Sequence, residues 1–199
     1  MIILGRHGNT FEPGMKAVWV GARSDLPLTA EGRAQAIRVA CHLKRVELAP
    51  RTIVAGPLRR TREFAEIVAS FFGPRVEIDD SLRELDYGGW EGLDNASVTD
   101  KFGVAALAGW EEDMAWPGPS SAWGESPDIV RARVQAAMDR LSTGKQPAFA
   151  CTSNGILRFV WALTQGLVDL PASKVKTGAI CRLNIASDGF EVVEWNYLP

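Results

Sequence analysis

Arginine, histidine and glutamate side chains recur in this sequence directly after short apolar runs. Arg6 and His7 follow the first run, and Glu84 follows the third. Three arginines follow the second run, at Arg59, Arg60 and Arg62. Guanidinium groups bind phosphate through paired hydrogen bonds, and an imidazole among cations is driven toward its neutral form, which can attack phosphorus. A nearby carboxyl group can protonate the leaving oxygen, so these residue types together indicate phosphoryl transfer.

The apolar runs are typical of β-strands that alternate with helices along the chain. The predicted strands are Ile2–Leu4, Thr52–Ala55, Val76–Ile78 and Ala148–Cys151. Helical spacing of apolar residues predicts a first helix from Thr29 to before Pro50, with Ala36, Ile37, Ala40 and Leu43 on its apolar face. A second helix has Phe64, Ile67, Val68 and Phe71 on one face. A third begins at Ser126-Pro127, and a fourth covers about Gly155–Thr164. This alternation indicates an α/β fold with a largely parallel sheet.

A hairpin is predicted at the end of the chain, and it would make the sheet mixed. Two strands lie around Ala179–Ile185 and Phe190–Trp195, and the turn signal Ser187-Asp188-Gly189 lies between them. In open α/β sheets, ligands bind at the carboxyl ends of the parallel strands. We therefore expect the arginines, His7 and Glu84 to converge at one edge of the sheet.

The segment after the fourth strand adds a helix N-terminus to the same edge. Thr152-Ser153-Asn154-Gly155 follows that strand and opens the next predicted helix. Backbone N–H groups at a helix N-terminus, together with the helix dipole, favour bound anions. The sequence therefore predicts one phosphate-binding pocket whose residues are far apart in the chain.

Residues 88–125 differ in composition from the alternating segments. They are rich in glycine, tryptophan and acidic side chains, with a short helical piece around Val104–Met114. Four of the seven tryptophans lie between Trp90 and Trp123, and packing within a small cap is the simplest interpretation of them. We predict a single domain over residues 1–199, in which residues 88–125 are a cap inserted over the edge of the sheet.

Composition argues against several classes of partner. The net charge of −2 gives no electrostatic case for binding nucleic acid or an anionic membrane. The opening residues lack signal-peptide features, and no apolar run approaches the length of a membrane span. The three cysteines have no paired spacing. We therefore expect a cytoplasmic protein. No metal-ligand cluster, glycine-rich phosphate loop or dinucleotide fingerprint is visible, and we expect neither a metal nor a cofactor. Nothing in the sequence specifies an oligomeric state.

Five short motifs in a fixed order give the sequence a family resemblance. They are RHGNT at Arg6–Thr10, DLPLTAEGRAQA at Asp25–Ala36, GPLRRTREFAEIVA at Gly56–Ala69, LRELDYGGWEG at Leu82–Gly92 and GES at Gly124–Ser126. In this combination the sequence resembles the histidine phosphatase superfamily, which contains the cofactor-dependent phosphoglycerate mutases and many small phosphatases. The resemblance runs through most of the chain. It implies a three-layer α/β/α sandwich and a phosphohistidine intermediate.

The resemblance also implies roles for individual residues. It gives the nucleophile as His7, the phosphate clamps as Arg6 and Arg60, and the proton donor as Glu84. Asn9 stands after the signature glycine, at a position where an acid or amide is common in the family. We therefore expect Asn9 to contact phosphate or substrate.

One residue of the family pattern is absent. The family normally has a second histidine after the fourth major strand, in a His-Gly motif that opens a helix. Alignment on Gly155 puts Asn154 at this position, whereas alignment on Arg158 puts Ser153 there, and both alternatives stay open. Either side chain can donate a hydrogen bond to a phosphoryl oxygen, but neither brings positive charge. The other histidine, His42, is expected to be structural within a helix.

These observations lead to three functional hypotheses. The first is a metal-independent hydrolase that removes phosphate from a small phosphorylated metabolite through His7. The second is a mutase of the phosphoglycerate type, although Pro13 stands where the mutases place a substrate-contacting asparagine. The third is a module that binds phosphate or a phosphorylated ligand with negligible turnover, because the second histidine is missing.

Overall fold

A six-stranded sheet forms the centre of the fold within the described residues. The computed structural model describes residues 1–164, 174–187 and 189–199. The strands are β1 (Ile2–Arg6), β2 (Thr52–Ala55), β3 (Val76–Ile78), β4 (Ala148–Thr152), β5 (Ile180–Ala186) and β6 (Gly189–Tyr197). Their order across the sheet is β3-β2-β4-β1-β5-β6. β1 and β4 are therefore neighbours at its centre.

The sheet is parallel on one side and antiparallel on the other. β3, β2, β4 and β1 pair in parallel, β5 runs antiparallel to β1, and β6 runs antiparallel to β5. At the carboxyl edge, the backbone N–H of His7 donates to Thr152 O, and that of Gly56 donates to Cys151 O, each at 3.0 Å. The predicted mixed and largely parallel sheet is confirmed. The turn residue Asp188 lies outside the described residues.

Helices cover both faces of the sheet. The helices are α1 (Ala30–Arg45), α2 (Arg59–Ala69), α3 (Asn95–Phe102), α4 (Val104–Asp113), α5 (Pro127–Thr143) and α6 (Asn154–Thr164). Alternate residues along β1 face opposite sides, so Ile3 packs in the same core as α1 and α2, and Leu4 packs in the core that holds α5 and α6. The three-layer α/β/α arrangement follows from this alternation.

Side-chain caps begin two of the helices where the sequence predicts them. Thr29 accepts a hydrogen bond from the Gly32 backbone N–H at the start of α1. Ser126 does the same for Ile129 at the start of α5, with Pro127 at the first helical position. Both caps satisfy backbone donors that the helix itself cannot pair.

Two apolar residues that helical spacing assigned to buried faces are partly exposed. Ile37 is 45% exposed, because the buried stripe of α1 runs through Ala36, Val39 and Ala40, and Ile37 lies beside that stripe. Phe71 is 38% exposed, because α2 ends at Ala69 and the chain turns away before the residue is reached.

Residues 88–125 pack around a cluster of aromatic rings. It contains Trp19, Tyr87, Trp90, Trp110, Trp116 and Trp123, which meet edge to face, most of them with centroids 4.7–5.1 Å apart. Trp90 and Trp110 are fully buried. Besides α4, the segment contains α3, which the sequence pattern missed. That this segment is an insertion within one domain stays a prediction.

Within the described ranges, no helix is long and apolar enough to cross a membrane.

Candidate active site

His7 lies at the carboxyl end of β1, in a place that the backbone fixes tightly. His7 is 7% exposed. The Nδ1 atom is 2.8 Å from the Gly8 carbonyl oxygen. A carbonyl can only accept, so Nδ1 carries the hydrogen and Nε2 keeps its lone pair. The neighbouring glycine is required, because a Cβ on Gly8 would lie 2.3 Å from the Gly32 carbonyl oxygen at the start of α1.

The surroundings of His7 favour its neutral form. Burial lowers the pKa of His7 well below its ordinary value, and the positive charges of Arg60 and Arg6 lower it further. The imidazole is therefore neutral, with a free Nε2, at physiological pH. This is the state that a histidine nucleophile needs.

Arg60 and Arg6 are held by backbone carbonyl groups rather than by a carboxylate. Arg60 is 1% exposed and donates to Ser24 O at 2.7 Å and to Gly21 O at 3.2 Å. Arg6 donates to Val175 O at 2.5 Å. In each arginine, the buried Nε–H has no acceptor among the described residues. Both arginines also line the cavity described below, where their positive charges can serve a bound anion.

Glu84 enters the same space from the segment after β3 and is 5% exposed. Its Oε1 accepts from the Leu85 N–H at 2.9 Å, and its Oε2 accepts from the Gly155 N–H at 3.3 Å. Burial raises the pKa of Glu84, while the Leu85 hydrogen bond and the charge of Arg60 oppose that rise. The carboxyl group therefore holds a proton to higher pH than an exposed glutamate would. That property suits a general acid.

The two candidates for the second-histidine position differ in their surroundings. Ser153 is fully buried, and its Oγ has no hydrogen-bond partner among the described residues. Asn154 is the first residue of α6 and lines the cavity at His7. Its Oδ1 accepts from the Val175 N–H at 2.9 Å. Asn154 therefore reaches the cavity wall, whereas Ser153 lies behind it.

These residues surround a cavity of about 450 Å³ at the carboxyl edge of the sheet. The predicted site residues that line it are Arg6, His7, Asn9, Arg60, Glu84 and Asn154. On one side the wall is apolar and is formed by Phe11, Val18, Trp19 and Val20. Near the rim, Lys174 pairs with Glu111 of α4. The cavity therefore combines a charged region that suits phosphate with an apolar wall beside it.

Sequence reasoning missed several residues of this cavity. Tyr87 lines it, and burial raises the pKa of its phenol well above the ordinary value, so the hydroxyl stays a donor. Its place within the motif around Glu84 was the available signal. Trp19 is held by a hydrogen bond from its indole Nε1 to Asn95 Oδ1 at 2.9 Å. Nothing in the local pattern around Trp19 or Lys174 indicated a place in the site.

Other titratable residues lie apart from the cavity. Arg59 pairs with Glu63 on the exposed face of α2. His42 lies in α1 against Tyr197, at a centroid distance of 4.8 Å, which agrees with a structural role. In the part of the chain that the structure describes, no group of three or more His, Cys, Asp or Glu side chains could hold a metal ion.

Comparison with known proteins gives the family. The sequence profile of the histidine phosphatase superfamily (branch 1) matches residues 2–198. The chain belongs to the histidine phosphatase superfamily. Its similar relatives include a probable phosphoglycerate mutase GpmB of Enterobacter sp. (strain 638), which is 30% identical over 98% of this chain and 86% of its own length. A protein of the same name from Escherichia coli O1:K1 is 32% identical over 86% of this chain and 76% of its own.

Solved structures of other proteins share the fold. A protein described as mycobacterial hydrolase 1 is 25% identical, with a TM-score of 0.82 over the whole of this chain and 98% of its own. A mycobacterial glucosyl-3-phosphoglycerate phosphatase, solved with inorganic phosphate, is 25% identical, with a TM-score of 0.78 over 98% of this chain and 96% of its own. The superfamily members named here are thus phosphatases or phosphomutases, and this chain is an enzyme of that kind.

Proposed function

We propose that the protein hydrolyses phosphomonoesters through a phosphohistidine on His7. The observation that carries this proposal is the place of His7 in the cavity, where the Gly8 carbonyl oxygen holds its Nδ1, and burial and two arginines lower its pKa. Two arginines and a protonatable carboxyl group line the same cavity. This combination supports attack on phosphorus by a neutral nitrogen.

The reaction takes place in two displacements. In the first, the Nε2 lone pair of His7 forms a bond to phosphorus while the ester P–O bond breaks, and Glu84 gives its proton to the leaving alcohol oxygen. In the second, water attacks phosphorus, Glu84 takes a proton from that water, and the N–P bond breaks to release inorganic phosphate. Arg6 and Arg60 balance the charge of the phosphoryl oxygens throughout.

The cavity wall favours hydrolysis of a phosphoester over a phosphoglycerate mutase reaction. A mutase of that type holds a substrate that carries a carboxylate besides its phosphate. Among the described residues that line the cavity, the only cation besides Arg6 and Arg60 is Lys174, and Glu111 already pairs with it. The remaining wall includes apolar Phe11, Val18 and Trp19. We therefore infer a small phosphorylated metabolite whose leaving group carries little extra charge.

Trapping the intermediate tests the proposal. After a short reaction with a ³²P-labelled phosphomonoester and denaturation, we expect protein-bound label that is lost in acid and kept in alkali, as a phosphohistidine requires. His42→Ala is the matched control and should keep the label, because His42 lies outside the cavity. Absence of label in the wild type, or undiminished label in His7→Ala, would overturn the proposal.

A phosphate-binding module with little turnover is the second candidate. It is favoured by the residues after β4, where neutral Ser153 or Asn154 stands at the position expected for a histidine of the family pattern. In this case the arginines would still bind phosphate, but the transition state would lack one charged donor. Loss of one such preorganised donor costs about 10²–10³-fold in rate.

Restoring a histidine separates the two candidates. We expect Ser153→His or Asn154→His, made singly, to raise the hydrolysis rate by roughly 10²-fold at one position if the missing donor limits turnover. The other position serves as the matched control and should show no gain. If the wild type already hydrolyses the phosphomonoester and neither substitution raises the rate, catalysis does not need that histidine. The impaired-module candidate is then wrong.

A further inference from the structure

Gln35 of α1 contacts Asn9 through both ends of its side-chain amide. We propose that Gln35 is a positioning residue that fixes the Asn9 carboxamide, so that the Asn9 NH₂ group donates a hydrogen bond to the phosphoryl group at His7. The proposal rests on the proposed function, because it places a phosphoryl group in this cavity.

Hydrogen-bond chemistry determines the orientation of both amides. The backbone N–H of Asn9 can only donate, and it lies 2.8 Å from Gln35 Oε1. The other end of the Gln35 amide is therefore Nε2, which donates to Asn9 Oδ1 at 3.4 Å. The same Oδ1 accepts from Thr177 Oγ1 at 2.5 Å. Because the oxygen of Asn9 already accepts from two donors, its NH₂ group is the end that can serve a ligand.

Asn9 lies between two cavities, and its partners lie mostly on one side. Asn9 lines the His7 cavity and also a second cavity of about 510 Å³. Gln35 lines only the second cavity, and Thr177 lines both. The carbonyl branch of the Asn9 amide is occupied by Gln35 and Thr177, so the NH₂ branch is the part of the amide left for a ligand in the His7 cavity.

Close backbone packing holds this arrangement in place. A Cβ on Gly32 would lie 2.3 Å from the Asn9 carbonyl oxygen, and the Thr29 N–H donates to that oxygen at 2.9 Å. On the other side, a Cβ on Gly178 would lie 2.7 Å from the Gln35 Cβ. Gly178 has φ of +73°, a conformation that favours glycine. A donor held this rigidly needs no reorganisation when charge develops on the phosphoryl oxygens.

The orientation of Asn9 matters because the segment after β4 supplies neutral side chains instead of a histidine. Asn154 accepts from the Val175 N–H through its Oδ1, which leaves its own NH₂ group for the cavity, and Ser153 lies behind the cavity wall. A fixed Asn9 donor adds a hydrogen bond to the phosphoryl group from the loop that carries His7. A reversed Asn9 would instead direct its oxygen at the phosphoryl oxygens and repel them.

Gln35→Glu tests this orientation with almost no change in shape. A carboxylate can still accept from the Asn9 N–H but cannot donate to Oδ1, so it favours reversal of the Asn9 amide. We expect kcat/KM for 4-nitrophenyl phosphate to fall roughly tenfold to a hundredfold, and the inhibition constant of inorganic phosphate to rise by a similar factor. Arg38→Gln is the matched control, because it makes the same change in charge one turn further along α1, and its activity should be unchanged.

A double-mutant cycle with Asn9→Ala separates positioning from a general effect of charge or folding. Once Asn9 has no amide to orient, Gln35→Glu should cost no more than about twofold. If Gln35→Glu fails to fold, as judged by chemical denaturation, Thr177→Val replaces it in the cycle, since it removes the other donor to Oδ1. We expect it to reduce kcat/KM severalfold, but only when Asn9 is present.

The outcomes distinguish this proposal from the proposed function. Equal losses from Gln35→Glu with and without Asn9, or no loss at all, would overturn the positioning role even if the wild type hydrolyses the ester. If the wild type shows no hydrolysis, the proposed function is wrong, and the same cycle is measured on inorganic phosphate binding by calorimetry. Additive effects in that cycle, or no phosphate binding by the wild type, would then overturn the positioning role as well.

Discussion

Replacing His7 with alanine is expected to reduce kcat for phosphomonoester hydrolysis by about 10⁴-fold or more, the scale seen when an enzyme loses its nucleophile. The reason is the state of the ring. Nδ1 donates to the Gly8 carbonyl, and burial with two neighbouring arginines keeps the pKa low, so Nε2 is the one available electron pair in a neutral imidazole. Steady-state hydrolysis of 4-nitrophenyl phosphate, with His42→Ala as the control, measures the effect.

Loss of activity must be separated from loss of folding in this variant. The pKa of His7 is lowered in the folded protein, so the unfolded chain binds a proton more readily once the pH falls below the ordinary pKa of histidine. The wild type should therefore lose stability over that acidic range, and His7→Ala should lose less. Denaturation at neutral and mildly acid pH checks this. A well-folded His7→Ala protein with activity within tenfold of the wild type would exclude His7 as the nucleophile.

The convergence of the site could be predicted because it depends on local pattern and on one rule of topology. Each parallel strand is short and mostly apolar and is soon followed by polar or charged residues, and parallel strands end at one edge of a sheet. This brings His7, Arg60 and Glu84 to one cavity although they are far apart in sequence. The helix caps at Thr29 and Ser126 have local signatures of the same kind.

Residues that join the cavity by long-range packing leave no such local pattern. Trp19 reaches it because its backbone pairs with Leu93 and Gly92, more than 70 residues later in the chain. Gln35 contacts Asn9 across 26 residues of sequence, although it lines the neighbouring cavity and not the one at His7. The exposure of Ile37 shows the related limit that spacing alone cannot set the exact edge of a buried helix face. The choice between Ser153 and Asn154 for the second-histidine position has the same limit. The two residues differ in burial, which the local sequence pattern does not indicate.

Glu84→Gln is expected to reduce kcat/KM for alkyl phosphates by roughly 10²–10⁴-fold, the usual contribution of a general acid. Glutamine keeps one acceptor oxygen, for the Leu85 or the Gly155 N–H, and it cannot give a proton to the leaving oxygen. Phenyl esters with acidic phenols need no such proton, so formation of the phosphohistidine from 4-nitrophenyl phosphate should be nearly unaffected. Breakdown of the intermediate still lacks its base, so we expect a burst of nitrophenol followed by a slow steady state.

The pH profile gives a second and independent measure of Glu84. Because burial raises the pKa of this carboxyl, the wild type should keep its acid form to higher pH than usual and lose activity as the pH rises through that pKa. The acidic limb should lie low, because it follows the lowered pKa of His7. Glu84→Gln should abolish the basic limb, whereas Glu77→Gln, the same change at an exposed position on β3, should keep the whole profile. A Glu84→Gln profile with its basic limb intact would assign the proton to another group in the cavity, with the Tyr87 phenol next to be tested.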